Sequence, residues 1–373
     1  MQRKPSAIIG GIARTLLAVT FLFSGCVKAI DPLGTVYKIE DYLKAFGGFF
    51  TELMPLATVA AFCLIAAEWT LGVCMLCNVR TPLTAWLTFA FYCVMTPLTL
   101  YIALNNPVSD CGCFGDAIIL TNWQTFAKNT VLIVLSILLL CTYRSLHRTF
   151  VWQAELGIAS LGIVAVAALM FWTVNHLPLK DFRPYKIGNN LPALMEYPDD
   201  AEPDQYDISF VYEKDGIEQT FTLDNYPKGD SAWTFVRQNS VLVKKGYEPP
   251  IHDFEITNAD YEDITYDILE SETPVTLAVM YDLKKSDLRQ LPKLLRLYRR
   301  CQARQEPFYI LTGSGTDDII AFCLNEGADE LLEVICACDP VTLKTIVRAN
   351  PGIVVLKNGT VMDKYNLKSL SFE

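Results

Sequence analysis

The stretch LMPLATVAAFCLIAAEWTLGVCMLC, Leu53–Cys77, decides the fold class. Apart from its cysteines it carries a single ionisable side chain, Glu68. A helix needs about 20 mostly apolar residues to cross a bilayer, so the stretch reads as a membrane span holding one carboxylate. Four more segments meet the same criterion: Ile8–Val27, Leu83–Leu104, Trp123–Tyr143 and Trp152–Val174. Each is bounded by charge, Pro or Asn, and Trp123, Trp152 and Trp172 sit at ends where interfacial aromatics belong. Of the 373 residues, 51% are hydrophobic and 19% charged. A soluble chain carries about 25% charged residues, so one ordinary soluble domain is excluded. Extensive disorder and a small disulfide-stapled scaffold are excluded as well.

The charge divides the chain in two. Residues 1–176 carry a net charge of +2 and residues 177–373 a net charge of −12. The second half is therefore an acidic soluble region, which argues against nucleic acid as a partner. The three histidines are far apart, so no histidine-rich metal site is expected. Lys and Arg in short loops set orientation. Arg3, Lys4, Arg14, Arg80, Arg144 and Arg148 mark one side, and the connection Asn105–Asn122 has no Lys or Arg. This predicts a cytoplasmic N-terminus, with the third loop and the long tail extracytoplasmic. Lys28, Lys38 and Lys44 in the first loop oppose that choice weakly. Val36, Ile39, Leu43, Phe46 and Phe50 recur there at helical spacing and predict an amphipathic helix on the outer membrane surface. Leu22-Phe23-Ser24-Gly25-Cys26 also offers a lipoprotein-type cleavage before Cys26, but Arg14 interrupts the apolar run and the first span reads as retained.

The run from Arg14-Thr15-Leu16-Leu17 through Ser24-Gly25-Cys26-Val27-Lys28 to Asp31-Pro32 resembles the first helix of DoxX-like membrane proteins. With Glu68 and the loop Cys111-Gly112-Cys113-Phe114-Gly115-Asp116, the resemblance points to the MauE branch, the methylamine-utilisation membrane proteins. It covers residues 8 to about 145. It implies a four-helix membrane bundle and a link to disulfide formation or thiol redox outside the membrane. A fifth span and the long acidic tail depart from the short family form and resemble the long Bacteroidetes-type form.

Cys111 and Cys113 lead the candidate residues. Gly112 allows the turn that brings cysteines two positions apart within disulfide reach. Such a pair can exchange disulfides, form a static bond, or simply pack. Cys26, at the outer end of the first span, is the candidate third thiol. Cys74 and Cys77 fall at the reducing end of the second span and read as packing residues. An ionisable residue at membrane depth is a functional candidate by default. Glu68 is therefore either an ion-paired residue, with Arg14 or Lys128 as partner, or a group handling protons. A thiol oxidase needs an electron acceptor. A membrane quinone is the natural one, although no cofactor is evident in the sequence.

The tail opens with a Pro-rich linker, 177–203, and a β-rich extension, 204–270. Asp215-Gly216 between alternating runs predicts a hairpin. Residues 271–373 alternate strands and helices: strand Val275–Tyr281, helix Lys285–Arg304, strand Phe308–Thr312, helix Thr316–Glu326, a short strand ending at Cys336, helix Pro340–Ala349, and strands Gly352–Lys357 and Thr360–Tyr365. This is an α/β domain. Asn350-Pro351 with the strand and the Asn358-Gly359 turn after it resembles the cis-proline segment of the thioredoxin fold, which implies a cis Asn350–Pro351 bond and a partner-binding role for Pro351. A thioredoxin carries Cys-x-x-Cys after its first core strand, where this chain reads Asp282-Leu283-Lys284-Lys285-Ser286. Cys336 and Cys338 fall at a strand end beside a capped helix, where a lowered thiol pKa is expected; the pair reads first as packing or a static bond, and second as a partner for disulfide exchange with the loop pair.

The expected architecture is a four-helix bundle over 1–150, a fifth span over 151–176, and the extracytoplasmic tail. The expected place is a bacterial inner membrane, among lipid and an envelope protein client, with oligomeric state open. The leading functional reading is a thiol–disulfide factor acting on envelope proteins. The alternatives are a non-enzymatic membrane-anchored assembly protein and a subunit of a quinone-linked respiratory enzyme.

Overall fold

The computed structural model describes residues 5–370 except 109, 147, 148, 231 and 245, and the side chain of Leu242. Arg3, Lys4 and Arg148, used above for orientation, lie outside the described residues. Among the described residues seven α-helices make the first half: α1 (Pro5–Ile30), α2 (Pro32–Phe46), α3 (Phe49–Glu52), α4 (Ala57–Leu76), α5 (Thr81–Asn105), α6 (Asn122–Thr142) and α7 (Trp152–Asn175). Among the described residues five helical segments are long and apolar enough to cross a membrane: Pro5–Ile30, Met54–Leu76, Thr81–Asn105, Asn122–Ser145 and Trp152–Asn175. The first half is that of a multi-pass membrane protein.

In the main apolar cluster of the bundle Leu17 and Phe21 of α1 meet Met75, Tyr92 and Leu139. Small residues set its tightest contacts. A Cβ on Gly25 would lie 2.8 Å from the Trp69 backbone nitrogen, and one on Gly72 would lie 2.8 Å from the Leu22 backbone nitrogen. So α1 and α4 approach to backbone contact, as small residues permit in membranes. A reciprocal cap starts α6: the Thr121 hydroxyl accepts from Gln124 N–H at 3.2 Å, and Gln124 Oε1 accepts from Thr121 N–H at 3.0 Å. The fifth span, α7, packs Val166 and Met170 on Ala29 and Ile65.

The expected amphipathic helix is α2, but its apolar face is not free to rest on lipid. Val36, Ile39 and Leu43 pack against Ala57, Ala61 and Phe62 of α4. Phe50, read into the same helix, falls in α3 and is half exposed. The reason is Gly47-Gly48, both at positive φ, which end α2 and turn the chain.

The second half contains α8 (Leu191–Met195), β1 (Gln205–Lys214), β2 (Ile217–Thr222), β3 (Thr234–Lys244), α9 (Thr265–Leu269), β4 (Val275–Val279), α10 (Leu291–Arg304), β5 (Phe308–Thr312), α11 (Thr316–Glu326), β6 (Ile335–Ala337), α12 (Pro340–Ile346), β7 (Gly352–Lys357) and β8 (Thr360–Asn366). One antiparallel sheet has the order β2-β1-β3. Asp215 and Gly216, both at positive φ, make its hairpin turn. The main sheet has the order β6-β5-β4-β7-β8, with β4, β5 and β6 parallel and β7 and β8 antiparallel additions. Leu294, Leu297, Tyr298 and Cys301 recur at helical spacing on α10 and cover one face of it.

Three expectations are adjusted. The helix expected from Lys285 begins at Leu291, because 283–285 and 288–290 form separate 3₁₀ turns, with Ser286 Oγ donating to Asn350 Oδ1 at 2.8 Å between them. The helix expected to reach Ala349 ends at Ile346, where Val347 turns extended. The segment read as a linker contributes Tyr185 and Leu191 to the core around β4 and β7. The Asn350–Pro351 bond is cis.

The two halves meet through charge. Arg348 donates to Asp31 at 2.8 Å and to Asp116 at 3.2 Å, and Lys344 faces Glu40 at 3.6 Å. Tyr37 and Tyr281 hydroxyls lie 3.4 Å apart, with Lys344 4.7 Å from the centre of the Tyr37 ring. Local charge here runs against the bulk: the acidic half presents cations to acids of the half with net positive charge.

Candidate functional site

The α/β domain meets the bundle at the end that carries the loop between α5 and α6. That loop is folded back on α1. Gly112 N–H donates to Asp110 Oδ1 at 2.8 Å and Gly115 N–H to the Gly112 carbonyl at 3.0 Å. Gly112 takes a φ of +62°, and a Cβ there would lie 2.8 Å from the Lys38 side chain. The turn therefore needs glycine for its conformation and for its space. Its result is a pair of sulfurs: Cys111 and Cys113 Sγ are 3.1 Å apart.

Neighbouring helices hold the pair from below and from the side. The Cys113 carbonyl lies 2.8 Å from Ser24 Oγ of α1, which is also 2.7 Å from Glu68 Oε2. One turn further along α1, Lys28 Nζ donates to both Glu68 oxygens, at 2.7 and 2.9 Å, and to Ser24 Oγ at 3.0 Å. Lys28 and Glu68 are 4% and 3% exposed, so this is a buried ion pair whose hydrogen bonds are satisfied. The close α1–α4 approach at Gly25 is what brings the two chains within reach. From α2, Tyr42 donates to the Cys111 carbonyl at 2.9 Å and Lys38 to Asp110 at 2.9 Å. Phe114 packs edge-on against Phe23, and Lys128 Nζ stands 4.3 Å from its ring centre.

The two thiols are unequal. The hydrogen bond from the Cys111 thiol lowers the Cys113 thiol to about 6; burial opposes this, while Lys128 and Lys28 add to it. The same bond, together with burial, pushes the Cys111 thiol far up. The pair thus shares one readily lost proton, and the cations near Cys113 place the charge on that sulfur. Both cysteines line a cavity of about 180 Å³ reached by Lys28, Tyr42, Leu64, Met95, Leu98 and Ile102, with Lys180 and Arg183 of the second half at its rim. A smaller cavity beneath it joins Glu68, Tyr92, Cys113 and Lys128.

Other expected residues fall elsewhere. Glu68 is paired with Lys28, in place of the expected Arg14 or Lys128, because α1 runs on to Ile30 and keeps Lys28 inside the bundle. Cys26 shares the α1 end but lines neither cavity. Pro351 is buried in the α/β domain and lines neither cavity. Cys338 lines a separate hollow with Thr312, Gly313 and Pro340. The lowered thiol pKa expected for Cys336 and Cys338 is reversed: burial pushes Cys336 up to about 11 and Cys338 up to about 12. Desolvation outweighs the short helix α12. The sequence does not mark Lys28, Ser24, Tyr42 or Lys38 as residues of the site, although Lys28 and Lys38 count there as loop cations. Only Ser24 and Lys28 carry a local signal, their i, i+4 spacing on one helix face.

Comparison with known proteins adds two matches. Residues 206–245, which hold β2, β3 and all of β1 but Gln205, match the family model of a domain of unknown function, DUF8463. No curated protein and no solved structure matched the chain. Residues 6–142, which include the helices and the loop that carry the cysteine pair, match the model of the methylamine utilisation protein MauE.

Proposed function

We propose that the chain is a membrane-embedded dithiol–disulfide exchange factor for extracytoplasmic envelope proteins. The observation that carries this reading is the Cys111–Cys113 pair, 3.1 Å apart, with one sulfur favoured as thiolate beside buried Lys28 and half-buried Lys128. In the oxidised form a client thiolate attacks Cys111 Sγ. The S–S bond breaks, and Cys113 leaves as the thiolate that Lys128 and Lys28 stabilise. A second client thiolate then attacks the client sulfur of this mixed disulfide, the bond from that sulfur to Cys111 breaks, and Cys111 leaves and takes up a proton that the client thiols released. The client keeps a disulfide, and the loop keeps a dithiol. Lys28, Glu68 and Ser24 hold the loop and balance charge beneath it.

The Cys-loop end of the bundle is read as extracytoplasmic, since Arg80 and Arg144 lie on the connections at the opposite end. The inner membrane of a bacterium is the corresponding location. The α/β domain, with parallel strands extended by an antiparallel hairpin, is read as thioredoxin-like. With no cysteine at 282–286 it serves to bind the client and does not turn over thiols itself.

Acid-trapped thiol labelling in cells tests the reading, with Cys111→Ser and Cys113→Ser compared with wild type on non-reducing gels. The wild-type pair is expected to be found in both oxidation states, and one single variant to accumulate a mixed disulfide with an envelope protein. A pair locked in one state, with no trapped species, favours the second reading, a membrane-anchored assembly module. The observation on that side is the β2-β1-β3 sheet, which leaves Phe235, Val241 and Val243 exposed.

A further inference from the structure

A dithiol left after each exchange must be reoxidised, and a cavity lies beside it. Its lining is chemically divided. One part is Cys111 and Cys113, with Lys38, which gives one of its three ammonium protons to Asp110. Another part is Leu64 of α4 and Met95 and Leu98 of α5, half-buried apolar residues of two membrane-spanning helices. The volume of about 180 Å³ suits one six-membered ring, since an apolar cavity of about 150 Å³ holds benzene. A ligand matching this has a flat ring bearing hydrogen-bond acceptors, an apolar tail, and residence in the bilayer.

We propose that this cavity binds the ring of a membrane quinone, which accepts the electrons of the Cys111–Cys113 dithiol. The inference rests on the thiol-exchange reading given above. The step balances. The Cys111 S–H bond is lost and one S–S bond forms with the Cys113 thiolate, so the sulfurs give up two electrons and one proton. The 1,4-quinone takes both electrons, and that proton with a second from water completes its two hydroxyl groups, giving the hydroquinone. Lys38 is placed to donate to a carbonyl oxygen as negative charge grows on it. Leu64, Met95 and Leu98 receive the ring edge and the start of the tail.

The test uses the full-length protein in lipid nanodiscs with the loop pair reduced. Decylubiquinone and menadione are the probes. Quinone absorbance and mass spectrometry of the Cys111–Cys113 peptide are followed together. One quinone reduced for each loop disulfide formed is expected. Leu98→Trp, which fills the apolar part, is expected to slow the reaction roughly a hundredfold, the scale of misplaced reactants. Val94→Trp, on the exposed side of the same helix, should leave the rate unchanged. Equal rates in the two variants, or no quinone reduction by wild type, overturns the proposal. A separate arm offers the oxidised wild type a reduced dithiol peptide without quinone. Exchange in that arm with no quinone reduction in the first discards the quinone site and keeps the exchange reading. Failure of exchange with the peptide discards the reading beneath it, and the proposal falls with it.

Discussion

Two Cys-x-Cys motifs sit in this chain, and their surroundings set them apart. Cys111-Gly112-Cys113 rests above Lys28 and near Lys128, on a glycine turn that aims one thiol at the other. Cys336-Ala337-Cys338 runs off the end of the edge strand β6, with Cys336 among aliphatic core residues and Asp339 and Glu255 adding negative charge near Cys338. The Cys113 thiol is drawn down to about 6, and the Cys338 thiol is driven up to about 12. Identical spacing thus gives opposite chemistry, because burial penalises a thiolate unless cations and a donor accompany it. A strand end near a helix start is too weak to offset that when the helix spans only 340–346.

The widest separation is expected in alkylation rates. With iodoacetamide at neutral pH, mass spectrometry should find Cys113 labelled roughly a thousandfold faster than Cys338, allowing for the lower nucleophilicity of a more acidic thiol. Comparable rates would erase the distinction. The sign with pH follows from the same values. Cys113 labelling should rise through pH 6 and then level, whereas Cys338 labelling should keep rising toward pH 12. A sharper probe is Cys111→Ala, which removes the donor to Cys113. Its labelling midpoint should move up by roughly two pH units, toward the ordinary thiol value of about 8.5. A smaller change is expected for Lys128→Met. Losing one of the two nearby cations should raise that midpoint by roughly one unit, the low end for a charge at this range. If Lys128→Met moves it further than Cys111→Ala, the cations dominate the site and the sulfur–sulfur hydrogen bond is secondary.

Much of the architecture was legible because it depends on local pattern. Apolar runs of span length, Asp215-Gly216 and the strand–helix alternation after 271 announce themselves in short windows. Glu68 was legible as the lone carboxylate of its span. Its partner was not, because Lys28 reads as a residue of the first loop until α1 is seen to continue to Ile30. The strand β3 was passed over, since Thr234–Lys244 mixes polar and apolar residues on a largely exposed sheet. Tyr42 and Lys38 were hidden because their partners lie about 70 positions away in the chain. No periodicity encodes which loop a helix face will meet.

Asp31 has a consequence for protein engineering. Its carboxylate starts α2 by accepting the Gly34 N–H at 3.0 Å, and it also receives Arg348 from across the molecule. One residue therefore closes a helix in the bundle and neutralises a guanidinium of the soluble half. The two halves are not interchangeable cassettes. A chimera that grafts a foreign soluble module onto this bundle must supply a cation where Arg348 stands, and one that grafts a foreign bundle must supply an anion where Asp31 stands.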